Sequence, residues 1–375
     1  MSGAALTLEG IDKVYNPGSA RPVQAVRRLN MRVDQGEIVA LLGSSGCGKT
    51  STLRMIAGFE EVTAGTIRLQ GTEVQSLPPA RRNVAMAFEG YSLYPPLTVR
   101  ENIAFALKSA KLSRDDTQRR VDEIAHLLEI EDILERYPSS ISGGQQQRAS
   151  LGRALVRDAA LHLLDEPMGQ LEPQLRALLR GRIKHHIKER GMTAILVTHD
   201  QAEANALADR IAVMEDGELQ QFASPAALKD RPANLFTGTF IGEPPMNVFT
   251  AEVRSAAGRL NLRLGGDVEL DYAATAFDET VYLNLLERGR VSIGVRPHAV
   301  QLVPEGLPAS VTVNQWLGDQ SHIAADFAGG SLVAVEHRRA AVHPGERIAI
   351  AFAAEDLHFF DVESGVAVSH GGRSA

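Results

Sequence analysis

Two short segments carry side chains able to handle phosphate. Residues 43–50 read Gly43, Ser44, Ser45, Gly46, Cys47, Gly48, Lys49 and Thr50, the pattern G-x-x-x-x-G-K-[ST], and Ser51 follows. Glycines let the backbone curl until its N–H groups converge on phosphate oxygens, and a helix N-terminus adds partial positive charge. The Lys49 ammonium can neutralise β and γ phosphates, and the Thr50 hydroxyl can ligate Mg2+. Residues 161–166 supply a complementary acidic site, in which Leu161, His162, Leu163 and Leu164 lead into the adjacent carboxylates Asp165 and Glu166. Asp165 suits the Mg2+ shell, while Glu166 stands where a base polarises an attacking water.

These groups need elements that hold them. Residues 36–42 read as a short buried strand running straight into the glycine loop, and Leu53, Ile56 and Ala57 then recur at helical spacing until Gly58. Strand, glycine loop and helix, in that order, are the context this motif requires. Residues 161–164 read as a second apolar strand and 194–197 as a third, the latter followed by Thr198, His199 and Asp200. Val121, Ile124, Ala125 and Leu128 fall at i, i+3, i+4 and i+7 within 115–134, the pattern of an amphipathic helix. The glycine loop alone leaves kinases, GTPases, helicases and transport ATPases open. The acidic strand end alone equally fits a core strand with a solvated turn.

The chain of 375 residues has 39 Lys+Arg against 46 Asp+Glu, a net charge of −7, and its length predicts about two and a half domains. Residues 1–240 hold 29 basic and 29 acidic side chains, whereas 241–375 hold 10 arginines, no lysine and 17 acids. The patterning changes at the same place. Strand-like runs alternate with helical ones before it, as in an α/β layer. After it come short alternating segments at 247–253, 259–264, 291–295 and 311–316, which predict an all-β barrel or sandwich. The boundary falls near 238–247, where Gly242, Pro244 and Pro245 interrupt the pattern. Acidic balance argues against a nucleic-acid partner. A lone Cys47 excludes a disulfide framework and fits a reducing compartment. No apolar h-region opens the chain, so no secretory leader is expected. The longest apolar run is the seven residues 348–354, well short of the roughly 18 needed to span a bilayer. Trp316 reads as core, and the pair His185 and His186 as a solvated helix face.

Residues 141–148, Ile141, Ser142, Gly143, Gly144, Gln145, Gln146, Gln147 and Arg148, settle the choice left open by the glycine loop. With the two phosphate segments they resemble the signature sequence of ABC ATPases. The resemblance implies an α/β P-loop domain over 1–240, with a helical subdomain at about 90–150 and an OB-like β domain over 241–375. It implies that Ser142, Gly144 and Gln145 bind the γ phosphate held by an opposite subunit, each ATP being enclosed between two chains. It further implies that Tyr15 stacks on adenine, that residues 43–51 cradle the phosphates, and that His199 is a switch contacting γ phosphate. Residues 91–99 and the motifs at 242–249 and 294–298 resemble the sugar, polyol and glycerol-phosphate importer branch. The implied partners are integral membrane permease subunits, a second ATPase subunit and, through the complex, a solute-binding protein. The implied place is peripheral, on the cytoplasmic face of the inner membrane. Non-transport ABC proteins usually carry two ATPase units or a long coiled coil, whereas this chain has one P-loop and one signature. Polyamine, iron or oxyanion importers remain alternatives.

Three positions depart from the family pattern. Glu89 stands where the family has a Mg2+-contacting glutamine; a glutamate can still ligate Mg2+ but brings a full negative charge. Glu172 stands where the loop after the acidic strand usually ends in aspartate, and Ile141 replaces leucine. Glu89 and Glu172 together imply one half of a heterodimer, or a low-turnover regulatory partner. The retained Lys49, Ser142, Glu166 and His199 argue for turnover.

Overall fold

The computed structural model describes residues 3–88, 90, 92–371 and 373, with the backbone of 374. They form two compact units that meet in sequence at Pro225 and Ala226. In the first, β1 (Ala4–Tyr15), β2 (Val23–Asp34), β3 (Ile38–Gly43), α1 (Lys49–Ala57), β4 (Ala64–Leu69), β5 (Thr72–Glu73) and β6 (Val84–Ala87) come first. Three helices follow: α2 (Val99–Phe105), α3 (Arg114–Leu128) and α4 (Gly143–Leu155). The unit closes with β7 (Leu161–Asp165), α5 (Pro173–Glu189), β8 (Ala194–Val197), α6 (Gln201–Leu207), β9 (Arg210–Glu215) and β10 (Glu218–Ala223).

The central sheet has the order β10-β9-β3-β8-β7-β6 and is parallel except for β10. Every residue of β3, β7 and β8 is buried, as expected for parallel strands covered on both faces. Beside it lies an antiparallel sheet, β2-β1-β4-β5, which simple strand–helix alternation does not foresee. Its alternating Leu6, Leu8, Val26, Leu29, Met31 and Val33 share one core with Val39, Leu41, Leu53 and Ile56. The amphipathic segment at 115–134 is helical only to Leu128, because Glu129 takes a φ of 53° and ends the helix. α4 lies close against α2 and α3 at Gly152, where a Cβ would sit 3.0 Å from Ile124 and 3.2 Å from Leu128.

The second unit begins upstream of the glycine–proline stretch at 238–247. α7 (Pro225–Asp230) and α8 (Leu235–Phe240) introduce it, and packing explains why they belong there. Asn234 bridges to Val366, Gly238 touches Met246 and Phe360, and the buried Arg296 donates to the carbonyls of Lys229, Gly238 and Ile241. Beyond lie β11 (Asn247–Ala256), β12 (Arg259–Arg263), β13 (Glu269–Ala273), α9 (Glu279–Arg288) and β14 (Arg290–Val295). They are followed by β15 (Gln301–Val303), β16 (Leu307–Trp316), β17 (Ser321–Phe327), β18 (Gly330–Glu336), β19 (Arg347–Ala351), β20 (Leu357–Phe360), β21 (Ala367–His370) and β22 (Arg373–Ser374). Two antiparallel sheets, β13-β12-β11-β14-β20-β21-β22 and β15-β19-β16-β17-β18, enclose Phe249, Leu262, Ile293, Ile323, Phe327, Ile350 and Phe359. α9 covers part of that core with Val281 and Leu285. Trp316 is not core: it is 41% exposed at the end of β16, where the strand runs out into a turn. Among the described residues no helix is long and apolar enough to cross a membrane.

Candidate nucleotide site

Parallel strand order gathers the site. In the sequence β3-β8-β7 the strands leave their carboxyl ends side by side, the edge where α/β sheets hold ligands. The glycine loop follows β3, His199 follows β8, and Asp165 ends β7 with Glu166 next after it. Three segments spread between residues 43 and 199 of the chain thereby become neighbours.

The loop's glycines answer to its geometry. Gly48 has a φ of 102°, and a Cβ on it would lie 2.3 Å from the Ala25 carbonyl. On Gly43 a Cβ would lie 2.1 Å from the Met214 carbonyl. Lys49 opens α1, and its Nζ donates to the Gly43 carbonyl at 2.9 Å and the Ser44 carbonyl at 2.7 Å. The ammonium is thus folded back over the loop. Cys47 is buried beneath it, and that burial, partly opposed by Lys49, raises its thiol pKa. Ser44 Oγ donates to Glu215 at the end of β9, and Tyr15 OH lies 3.1 Å from Ser51 Oγ. Tyr15, on the antiparallel sheet, therefore stands beside α1. Its ring also carries Lys13 Nζ at 4.6 Å.

Asp165 is 4% exposed. Glu166 adopts a φ of 45°, uncommon for a side chain of its kind, and its Oε1 lies 3.0 Å from His199 Nδ1. A carboxylate only accepts, so Nδ1 carries the proton in this contact and Nε2 is left for another partner. Below His199, Thr198 Oγ1 donates to Glu203 Oε2 at 2.7 Å and accepts from the Asp200 N–H at 3.0 Å; Asp200 Oδ1 accepts from the Glu203 N–H at 2.9 Å. Glu203 is buried, and burial pushes its pKa up to about 7, Asp200 adding to the effect and Thr198, Arg176 and Arg180 opposing it. Arg176 joins Asp200 at 3.0 Å to the carbonyls of Gly169 and Leu171.

Ser142 caps α4, accepting from the Gln145 N–H at 3.3 Å while Gln145 Oε1 accepts from the Ser142 N–H at 2.9 Å. Ser142, Gly144 and Gln145 occupy the start of α4, and no hydrogen bond among the described residues joins them to the glycine loop within the chain. Glu172 is exposed at the start of α5 and makes no capping bond. Glu89 lies outside the described residues. Glu215, Gln147, Arg176 and Glu203 escape a reading of motifs. Glu215 carries the one usable signal, a carboxylate ending an apolar strand as Asp165 does.

A parallel sheet with a glycine loop, an acidic strand end and a histidine strand end side by side defines a P-loop nucleotide hydrolase. A family model described as ABC transporter matches residues 26–169, and one described as TOBE domain matches 293–360. The chain is 41% identical to the sn-glycerol-3-phosphate import ATP-binding protein UgpC 2 of Agrobacterium fabrum over 90% of this chain and 88% of that protein. It is 37% identical to the xylose/arabinose import ATP-binding protein XacK of Haloferax volcanii, over 98% of this chain and 96% of that one. Among solved structures it resembles the dimeric bacterial ABC transporter cassette MJ0796, with a TM-score of 0.55 and 28% identity over 58% of this chain and 98% of that one. A post-hydrolysis state of that cassette, bound to ADP and Pi, also matches with a TM-score of 0.55 at 26% identity. The chain belongs to the ABC transporter ATP-binding protein family, and it is an ATPase with an appended TOBE domain.

Proposed function

We propose that this ATPase energises a membrane importer of a carbohydrate or polyol, including glycerol phosphate, and that its site residues work as follows. Residues 43–51 cradle the phosphates, and Tyr15 stacks on adenine. Thr50 and Asp165 would hold Mg2+, joined by Glu89. Among the described residues no three His, Cys, Asp or Glu side chains gather as a metal cage. Mg2+ commonly uses one or two protein oxygens and completes its shell with phosphate and water. A hydroxyl and a buried carboxylate fit that habit, and the ion would neutralise phosphate charge when bound. Lys49 leaves its loop carbonyls for phosphate oxygens. Glu166 takes the proton of the attacking water, and His199 Nε2 turns to the γ phosphate. Ser142, Gly144 and Gln145 contact the ATP of a second ATPase subunit.

The observation that carries this reading is the 3.0 Å contact between Glu166 and His199, which brings a base and a donor together beside the glycine loop. The importer branch rests on the relatives named above. Docking to a permease is supported by an apolar groove of about 540 Å³ lined by Phe59, Phe88, Tyr94, Phe105 and Arg153. Phe59 is 53% exposed and Tyr94 44%, and such a patch suits a short helix from a membrane subunit. The chain then lies on the cytoplasmic face of the inner membrane.

Turnover of the purified chain tests the chemistry. Glu166→Gln is expected to cut kcat by about 10²–10⁴-fold while ATP still binds; unchanged kcat would refute the base. Uptake of labelled pentoses, glycerol and glycerol phosphate in cells lacking the chain tests the branch. Loss of polyamine, iron or oxyanion uptake instead would move the protein to another branch. Brisk, cooperative hydrolysis by the chain alone would exclude the heterodimer suggested by Glu89 and Glu172.

A further inference from the structure

We infer that Gln147 is a positioning residue for hydrolysis, tying the start of α4 to the loop that presents Glu166. Its side chain is 5% exposed on the second turn of α4. Nε2 donates to the Glu166 carbonyl at 2.7 Å, and Oε1 accepts from the Gln170 N–H at 2.9 Å. Both ends of one amide are therefore spent on the loop at 166–172. Gly144 lies one turn earlier on the same helix face. A Cβ there would sit 3.2 Å from the Gln170 carbonyl, so helix and loop meet with no side chain between them.

The backbone of Glu166 needs such a hold. Its φ of 45° is a left-handed conformation that a glutamate does not favour by itself. Its N–H is fixed by the Val197 carbonyl at 2.9 Å, and Gln147 fixes its carbonyl. With both peptide groups held, the side chain is aimed at His199. The inference rests on the proposed roles of Glu166 as base and of the α4 start as the contact to a partner subunit's ATP. Capture of that phosphate reaches this chain's own base through one side chain, which couples the two sites of a dimer.

The side-chain amide of Gln147 bonds to Glu166 and Gln170, and among the described residues it makes no hydrogen bond to the glycine loop, so its loss should separate turnover from binding. The test uses the full purified chain, with Gln147→Ala and Gln147→Glu. The glutamate keeps an acceptor for Gln170 but sets a carboxylate oxygen against the Glu166 carbonyl. Both variants are expected to lose roughly 100-fold in kcat, with the Kd for ATP measured without Mg2+ staying within about twofold. An unchanged kcat in both overturns the inference. So does a Kd that rises in step with the fall in kcat, which marks a merely structural role. Full turnover in the glutamate variant alone would show that the Gln170 bond matters and the Glu166 bond does not, and it also overturns the inference. If the alanine variant does not fold, the near-isosteric glutamate variant decides. Glu166→Gln measured alongside keeps the two ideas apart: turnover retained there refutes the base, whereas turnover retained in the Gln147 variants refutes the bridge.

Discussion

At the scale of single residues, chemistry turns on groups whose partners lie far away in the chain. Glu166 is 33 residues from His199 and touches it only because β7 and β8 are neighbours. Glu203 is the ionisable group beneath that pair. Its folded pKa, raised from 4.5 to about 7 by burial, means that the folded state holds a proton which the unfolded state has already lost. Stability therefore falls as pH rises from about 4.5 through about 7, and the full cost stands above that range. Glu203→Gln retains an acceptor for Thr198 and has no charge to bury. The variant should unfold at the same temperature as the parent near pH 4 and be more stable by about 3 kcal/mol near pH 8. Thermal melts across that range would check this. A gain that does not grow with pH would show that Glu203 is ionised at no such cost.

At the scale of elements, α1 shows how a phosphate-binding helix is held. Its start is set by Gly48, which fits against the Ala25 carbonyl, and its end is closed by Gly58 in the left-handed region. The buried Arg82 guanidinium completes that end, donating to Met55 and Ile56 carbonyls at 2.6 and 3.0 Å and to Leu77 and Gln75 carbonyls at 2.8 and 2.9 Å. Burial lowers the pKa of Arg82, so the cation rests on carbonyl oxygens and the negative end of the helix dipole. Arg82→Met keeps volume but removes the guanidinium donors of the Ile56, Leu77 and Gln75 carbonyls and leaves the Met55 carbonyl with the Gly58 N–H at 3.2 Å. A loss of about 2–4 kcal/mol is expected by denaturant titration, with weaker ATP binding because α1 loses its fixed end. A stability change near zero would mean that water replaces the guanidinium.

At the scale of the whole molecule, two separate cores imply two cooperative units. One is built on Leu6, Val39, Leu53 and Ile195, the other on Phe249, Ile293, Phe327 and Phe359. Calorimetry should resolve two transitions. ATP at about 100 times its Kd should raise only the one belonging to the first unit, by about 2.7 kcal/mol of stabilisation. A single transition moved as a whole by ATP would show that the units unfold together. The excess of negative charge lies entirely beyond residue 240, and residues 1–240, which contain the phosphate site, are balanced in charge.

How much of this was legible beforehand follows from the range of the forces involved. The glycine loop, the strand before it and the helix after it are local. Glycine φ preferences, apolar runs and helical spacing act within a few residues, so 36–58 could be read directly, as could the β-rich patterning after 240. The acidic and histidine strand ends were recognisable as types for the same reason, but strand order alone makes them neighbours. Packing decided what local pattern could not. The antiparallel sheet beside the ATPase core, α9, the exposed Trp316 and the start of the second unit at Ala226 all depend on which distant surface a segment covers. Gln147 is the sharpest case. Its residue type and place in the signature were in plain view, yet an amide has no preferred partner until the fold brings two backbone groups of one loop within 3 Å of its two ends.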